Sequence, residues 1–243
     1  MSIITSYIKR DINKLISSSG YVVKEYRRLP EYHLFGLRQM NIQTILDIGA
    51  NTGQFVEWIR PIFPKAKIIS FEPQPDVFKH LQNLAQQAEN WIAVNIALGD
   101  IEGSVQMNKH TEYSPSSSIL ASTKLNAQLY PSSAVQEKID VTVATLDNWS
   151  REYSTPFEKS LLIKMDVQGF ESSVIRGARE VIFGADAVIT EVNVKKLYEN
   201  QTTFLEIVSM LSDLGFVYQS NIDCGLDSAS RVISFDALFM KMD

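Results

Sequence analysis

Apolar and polar positions along the chain change rhythm near residue 44. Before it, Ile3, Ile4, Tyr7, Ile8, Ile12, Leu15 and Ile16 recur at helical spacing, with Lys9, Arg10 and Lys14 on other faces. That pattern predicts an amphipathic helix over residues 3–17, and its apolar stripe needs a surface to cover. A second helix is expected over Tyr32–Gln39. We therefore expect residues 1–41 to form a helical extension that acts as a lid or a dimer contact, which makes a homodimer possible. Peripheral attachment to a membrane through the same stripe is the alternative.

From Thr44 onward, short β-branched runs alternate with helix-period segments, the mark of parallel strands joined by crossover helices. Strands are predicted at 44–48, 67–71, 91–96, 161–166 and 186–191, and helices at 53–60, 75–87, 171–182 and 203–214. The fold class is α/β: an open, doubly wound, mostly parallel sheet with helices on both faces. Segments 216–220 and 232–240 read as two late strands, expected as a hairpin that adds an antiparallel edge. Residues 42–243 thus form one domain with a loop-rich insertion at about 100–160. Within it, Asn108–Pro131 is rich in Ser, Thr, Asn and Pro and separates two strand-like runs, Ser104–Met107 and Ile139–Thr142. A connection of that length is expected to be a lid or to lack order.

Composition narrows the function. The 243 residues are 45% hydrophobic and 21% charged, as in a soluble globular protein. No apolar run approaches the roughly 18 residues of a transmembrane helix. The N-terminus lacks the features of a secretory signal, and the only cysteine is Cys224, so a cytoplasmic protein is expected. A formal net charge of −5, with no cluster of Lys and Arg, argues against a nucleic-acid substrate.

The strongest local signal is the segment Thr44–Phe55, an apolar strand that runs into Gly49-Ala50-Asn51-Thr52-Gly53 and then a helix. Gly49 lets the backbone approach a ligand, Gly53 permits close packing as the helix begins, and Asn51 tolerates positive φ. A tight turn without any ligand is the plain alternative. Glu72 follows the next strand, about 25 residues beyond Asp47, where an acidic side chain accepts both hydroxyls of a ribose in dinucleotide-type folds. A pyrophosphate needs the G-x-G-x-x-G spacing, whereas this turn has G-x-N-x-G. Asp47 would repel a pyrophosphate but could accept a hydrogen bond from an ammonium, directly or through water. The residues favour S-adenosylmethionine over a nicotinamide cofactor.

Six blocks, LDIGANTGQF (46–55), SFEPQPDVFKHL (70–81), VNIALGD (94–100), VATLDNW (143–149), LLIKMDVQGFESSVIRGARE (161–180) and VITEVN (188–193), together resemble the FkbM family of methyltransferases. The likeness extends over roughly residues 42–240. It implies a Rossmann-like class I methyltransferase with a seven-stranded sheet, and O-methylation of a hydroxyl on a sugar or other small metabolite. It places the methionine end of the cofactor against Asp47, Gly49, Asn51 and Gly53, the ribose against Glu72, and the adenine between Asn95, Ile96 and Ala97. One departure stands out: the family's Asp-x-Glu-Gly-x-Glu reads Asp166-Val167-Gln168-Gly169-Phe170-Glu171 here, with an amide in place of a carboxylate.

Methyl transfer is an in-line displacement that asks the protein to hold the acceptor oxygen and to help remove its proton. Asp166, at the end of the fourth predicted strand, is the candidate general base, with helix capping as its alternative role. Glu191 and Asn193, at the end of the fifth, are brought beside it by the sheet order. Glu191 is expected to orient the substrate or pair with a lysine; a Mg²⁺ site completed by these two side chains is the less favoured reading. His33 and His80 are weak candidates, while His110, in the long loop, could swing over the site. Ser114–Ser118 could line an acceptor pocket with hydroxyls. A nicotinamide-dependent oxidoreductase and a catalytically inert cofactor-binding module remain as alternatives.

Overall fold

A computed structural model of the chain describes residues 12, 14–16, 19, 34–112, 114–153, 157 and 160–242. The chain divides into two units, Met1–Arg38 and Gln39–Asp243. In the first, Ile12 and residues 14–16 are helical, and the rest of the amphipathic segment predicted over 3–17 lies outside the described residues. The second predicted helix is a 3-10 helix, Leu34–Gln39, in which Gly36 takes a φ of +96° that an α-helix does not accommodate. Tyr32 and His33 lie outside the described residues.

The second unit follows the strand–helix alternation closely. Its elements run β1 (Thr44–Ile48), α1 (Gln54–Ile59), β2 (Lys67–Phe71), α2 (Pro75–Gln86), β3 (Trp91–Val94), β4 (Ala97–Leu98), β5 (Gly103–His110), α3 (Lys124–Leu129), β6 (Gln136–Ala144) and α4 (Leu146–Glu152). They continue with β7 (Leu161–Met165), α5 (Glu171–Arg176), α6 (Arg179–Phe183), β8 (Ala187–Asn193), α7 (Phe204–Ser212), β9 (Phe216–Leu226) and β10 (Val232–Lys241). Seven strands form one sheet in the order β3-β2-β1-β7-β8-β10-β9. The first five of these are parallel, and the β9–β10 hairpin closes the edge antiparallel to β8. The chain winds outward from β1 to β3, then restarts at β7 on the other side of β1. That reversal opens a crevice at the C-terminal ends of β1 and β7.

Every residue of β1 and β7 is buried, as expected of central parallel strands covered on both faces. Leu46, Ile48, Ile69, Phe71, Ile163 and Met165 share one core with Val174, Ile182, Ile207 and Leu211 from α5, α6 and α7. The alternate positions hold a polar row instead: Asp47 stands level with Ser70 on one neighbour and Lys164 on the other.

Three expectations are corrected. The helix over 171–182 is two short helices parted at Gly177, whose backbone packs so closely on Gly99 that a Cβ there would lie 1.8 Å from the Gly99 carbonyl oxygen. The third strand ends at Val94; Ala97 begins β4 in a separate three-stranded sheet, β4-β6-β5, and is buried with Met107, Val141 and Val143. Finally, the stretch 108–131 carries structure of its own. It holds two 3-10 turns and α3, which Thr123 caps by accepting from Asn126 N–H. Several of its polar residues bind backbone: Asn108 Nδ2 donates to the carbonyls of Ile119 (3.3 Å) and Leu120 (3.0 Å), and Ser117 Oγ accepts from His110 N–H. Among the described residues, no helix is long and apolar enough to cross a membrane.

Candidate functional site

The turn after β1 is held by short backbone contacts that only particular residues permit. Gly49 and Ala50 N–H both donate to the Phe71 carbonyl at 3.0 Å, and Asp166 N–H donates to Ile48 O at 2.9 Å, so the turn is stitched to β2 and β7. Gly49 has φ +78°, and a Cβ there would lie 1.9 Å from the Asp166 carbonyl oxygen. Gly49→Ala combines a left-handed penalty with a backbone clash and should lower stability by about 2–4 kcal/mol, read from a urea unfolding midpoint. An unchanged midpoint would refute the close approach. Asn51 takes φ +46° and Gly53 φ +94°.

Glu72 lies immediately after β2, and its carboxylate reaches the turn directly: Asn51 N–H donates to Oε2 at 2.9 Å. Oε1 accepts from Gln74 N–H at 2.9 Å and from Gln74 Nε2 at 3.3 Å. Burial pushes the Glu72 carboxyl up to about 7, against the lowering effect of the Gln74 and Asn51 donors. Asn95, largely exposed, donates to the carbonyls of Glu72 (2.8 Å) and Pro73 (3.1 Å). Ile96 is half-buried beside it.

Asp47 is wholly buried and forms the middle of the polar row. Trp91 Nε1 donates to Ser70 Oγ (3.0 Å), which donates to Asp47 Oδ2 (3.1 Å). On the other side, Lys164 Nζ lies 3.8 Å from Asp47 Oδ1 and donates to Asp166 Oδ2 at 3.2 Å. Burial pulls Lys164 down, but Asp166, Asp47 and Asp236 more than offset this and push it above the usual lysine range. Asp47 is raised by burial, opposed by Lys164 and Ser70. Lys164, Ser70 and Gln74 escaped the sequence reading. The available signal was a charged or polar residue interrupting an otherwise apolar strand, as in Leu161-Leu162-Ile163-Lys164-Met165.

Asp47 Oδ1 and Gln74 Oε1 are among the buried side-chain atoms that have no hydrogen-bond partner among the described residues. These open acceptors flank the Gly49–Gly53 turn on its β1 and β2 sides. A ligand bearing an ammonium and hydroxyl donors would supply partners for these two acceptors.

At the ends of β7 and β8, Gln168 gathers the acidic groups. Its Nε2 donates to Asp166 Oδ1 (2.6 Å) and Glu191 Oε2 (2.8 Å), and Asn193 Nδ2 reaches Glu191 Oε2 at 3.3 Å. Burial raises Glu191 well above the carboxylate range, reinforced by the charge of Asp166. Buried Glu171 accepts from Gly169 N–H (3.1 Å) and Val167 N–H (3.3 Å), and burial pushes it up to about 7. Among the described residues, no three His, Cys, Asp or Glu side chains are arranged to hold a metal ion.

The insertion lies over this edge. Asn51 Nδ2 and Ser114 Oγ are 3.2 Å apart, and Ser118 Oγ donates to Gln168 O at 2.8 Å. Ser116, Ser117 and Ser118 are buried, so they do not line an acceptor pocket with free hydroxyls. His110 ends β5, also buried, with its ring bonded to Ser133 O and Ser122 Oγ, and it is not free to swing over the site. His80 is exposed on α2.

Residues 47–218 match the family described as Methyltransferase FkbM domain. A protein named 2-O-methyltransferase NoeI, from Sinorhizobium fredii, is 29% identical over 181 residues, covering 72% of this chain and 73% of its own length. Methyltransferase 1 from Beauveria bassiana is 25% identical over 183 residues, covering 71% of each. A solved structure, Methyltransferase FkbM from Methylobacillus flagellatus KT, superposes with a TM-score of 0.51 at 14% identity. It covers 82% of this chain, which spans 44% of that protein, and it supports the fold alone.

Proposed function

This chain belongs to the FkbM methyltransferase domain family, and we propose that it is an S-adenosylmethionine-dependent O-methyltransferase acting on a hydroxyl of a sugar or other small metabolite. The observation that carries the cofactor reading is the direct contact of Asn51 N–H with Glu72, which joins the turn after β1 to the end of β2 at the edge of the crevice. S-adenosylmethionine supplies an electrophilic methyl carbon when bound. Asp47, Gly49, Asn51 and Gly53 would hold its methionine end, Glu72 its ribose, and Asn95 and Ala97 would stand near its adenine. Ala97 faces the small core, so its part there falls to the backbone.

Asp166 would accept the proton of the acceptor hydroxyl as the O–C bond forms and the bond from the methyl carbon to sulfur breaks, and Glu191 would orient the acceptor. Oxygen as the acceptor atom is supported by the name of the rhizobial relative.

Titration calorimetry tests the cofactor. Glu72→Ala should weaken S-adenosylmethionine binding about 10–100-fold, since two hydroxyls lose a charged acceptor. The pH dependence has a defined sign. A carboxyl raised to about 7 favours its protonated form in the free protein, so its stabilising contribution is present at low pH and fades as pH rises from 4.5 to about 7. Hydroxyl donors favour the ionised form, so binding should tighten as pH rises through that range. At pH ~6 it should release a proton to the buffer. No heat with S-adenosylmethionine or its demethylated product would remove the cofactor, and binding without turnover of any acceptor would leave an inert module.

A further inference from the structure

Gln168 has a role that its neutral side chain makes specific. It takes φ +55°, and the following Gly169 takes φ +94°. This backbone is unfavourable for a residue with a Cβ, and strain of this kind concentrates where a side chain must be aimed. The side chain reaches back to Asp166, two residues earlier, and across to Glu191 on the adjacent strand. An amide nitrogen carries two hydrogens, one for each carboxylate. Its partner oxygen, Oε1, lies 2.7 Å from the hydroxyl of the fully buried Tyr198, which also lies 2.8 Å from the Ser116 carbonyl. With the nitrogen toward Asp166 and Glu191, the oxygen is left to face the Tyr198 hydroxyl.

A single centre joining carboxylate oxygens of neighbouring strands is what a divalent cation provides in an oxygen-ligand site. Here the amide nitrogen stands between the two carboxylates, supplying donors without adding charge. We infer that Gln168 is a positioning residue whose amide takes the place of a bridging divalent cation between Asp166 and Glu191, so that this chain works without one. The inference deepens the proposed reaction and relies on it only for the task given to Asp166.

The test uses Mn²⁺ alone, followed by electron paramagnetic resonance, so no acceptor is needed. The wild-type chain should leave Mn²⁺ free at millimolar concentration. Gln168→Glu replaces the donor by a third carboxylate and should bind one Mn²⁺ per chain at least about tenfold more tightly. Adding Glu191→Gln to that variant should abolish the gain. Gln168→Gly, which suits the left-handed backbone and removes the amide, provides a second route if the glutamate variant does not fold; it too should bind Mn²⁺ more tightly than the wild type.

Wild-type uptake of Mn²⁺ that Glu191→Gln removes would overturn the inference. So would folded variants that bind no more than the wild type. Calorimetry with S-adenosylmethionine on the same samples separates the two readings. Failure to bind the cofactor refutes the methyltransferase mechanism while leaving the Mn²⁺ result to judge the bridge.

Discussion

Asp166→Asn should reduce methyl transfer about 10²–10⁴-fold, the range associated with a lost general base, while leaving S-adenosylmethionine affinity within about twofold. Asparagine keeps the size of the side chain, so one oxygen can still accept from Gln168 or Lys164. What disappears is the charge that would take a proton from the acceptor. Asp166 keeps about a third of its side chain exposed at the crevice, more than Asp47 on the adjacent strand. A loss confined to the single-turnover rate would support the assignment. A matching loss in cofactor affinity would instead make Asp166 part of the cradle, and an unchanged rate would exclude it as base.

Lys164→Met should cost about 3–5 kcal/mol of folding stability at neutral pH, because it removes the cation facing two carboxylates and leaves the wholly buried Asp47 uncompensated. Methionine fills nearly the same volume, so a cavity does not account for the loss. The deficit should narrow on acidification. In the variant the folded-state Asp47 is raised further, so the penalty appears as pH rises and is absent once the carboxyl holds its proton. Denaturant curves at pH 5 and pH 7.5 would measure both effects; equal deficits at the two pH values would show that charge is not the cause.

Much of the architecture was legible because local and global signals agree. β1 and β2 occupy the predicted residues, and the late hairpin falls on the expected edge, since buried parallel strands leave uninterrupted β-branched runs. The nearness of Glu72 to the Gly49–Gly53 turn follows from parallel pairing of consecutive strands. Less accessible were features that depend on which distant segments meet. Lys164 acquires meaning only when β7 lies level with β1, and nothing in the local pattern states that register. The serines of the insertion read as hydroxyls lining a pocket because their partners, Asn51, Gln168 and Tyr198, stand far away in the chain. The break at Gly177 likewise answers to Gly99 on another element.

The insertion leaves β5 after His110 and returns to β6 at Gln136, and those two residues face each other in the antiparallel ladder. Its take-off and landing points are therefore anchored side by side, whatever lies between them. A replacement cassette of different length could be grafted there with little added closure entropy, since that term grows only slowly with length. Any such cassette would have to supply anew the contacts that Ser114 makes with Asn51 and Ser118 with Gln168, because these tie the insertion to the turn after β1 and to the end of β7.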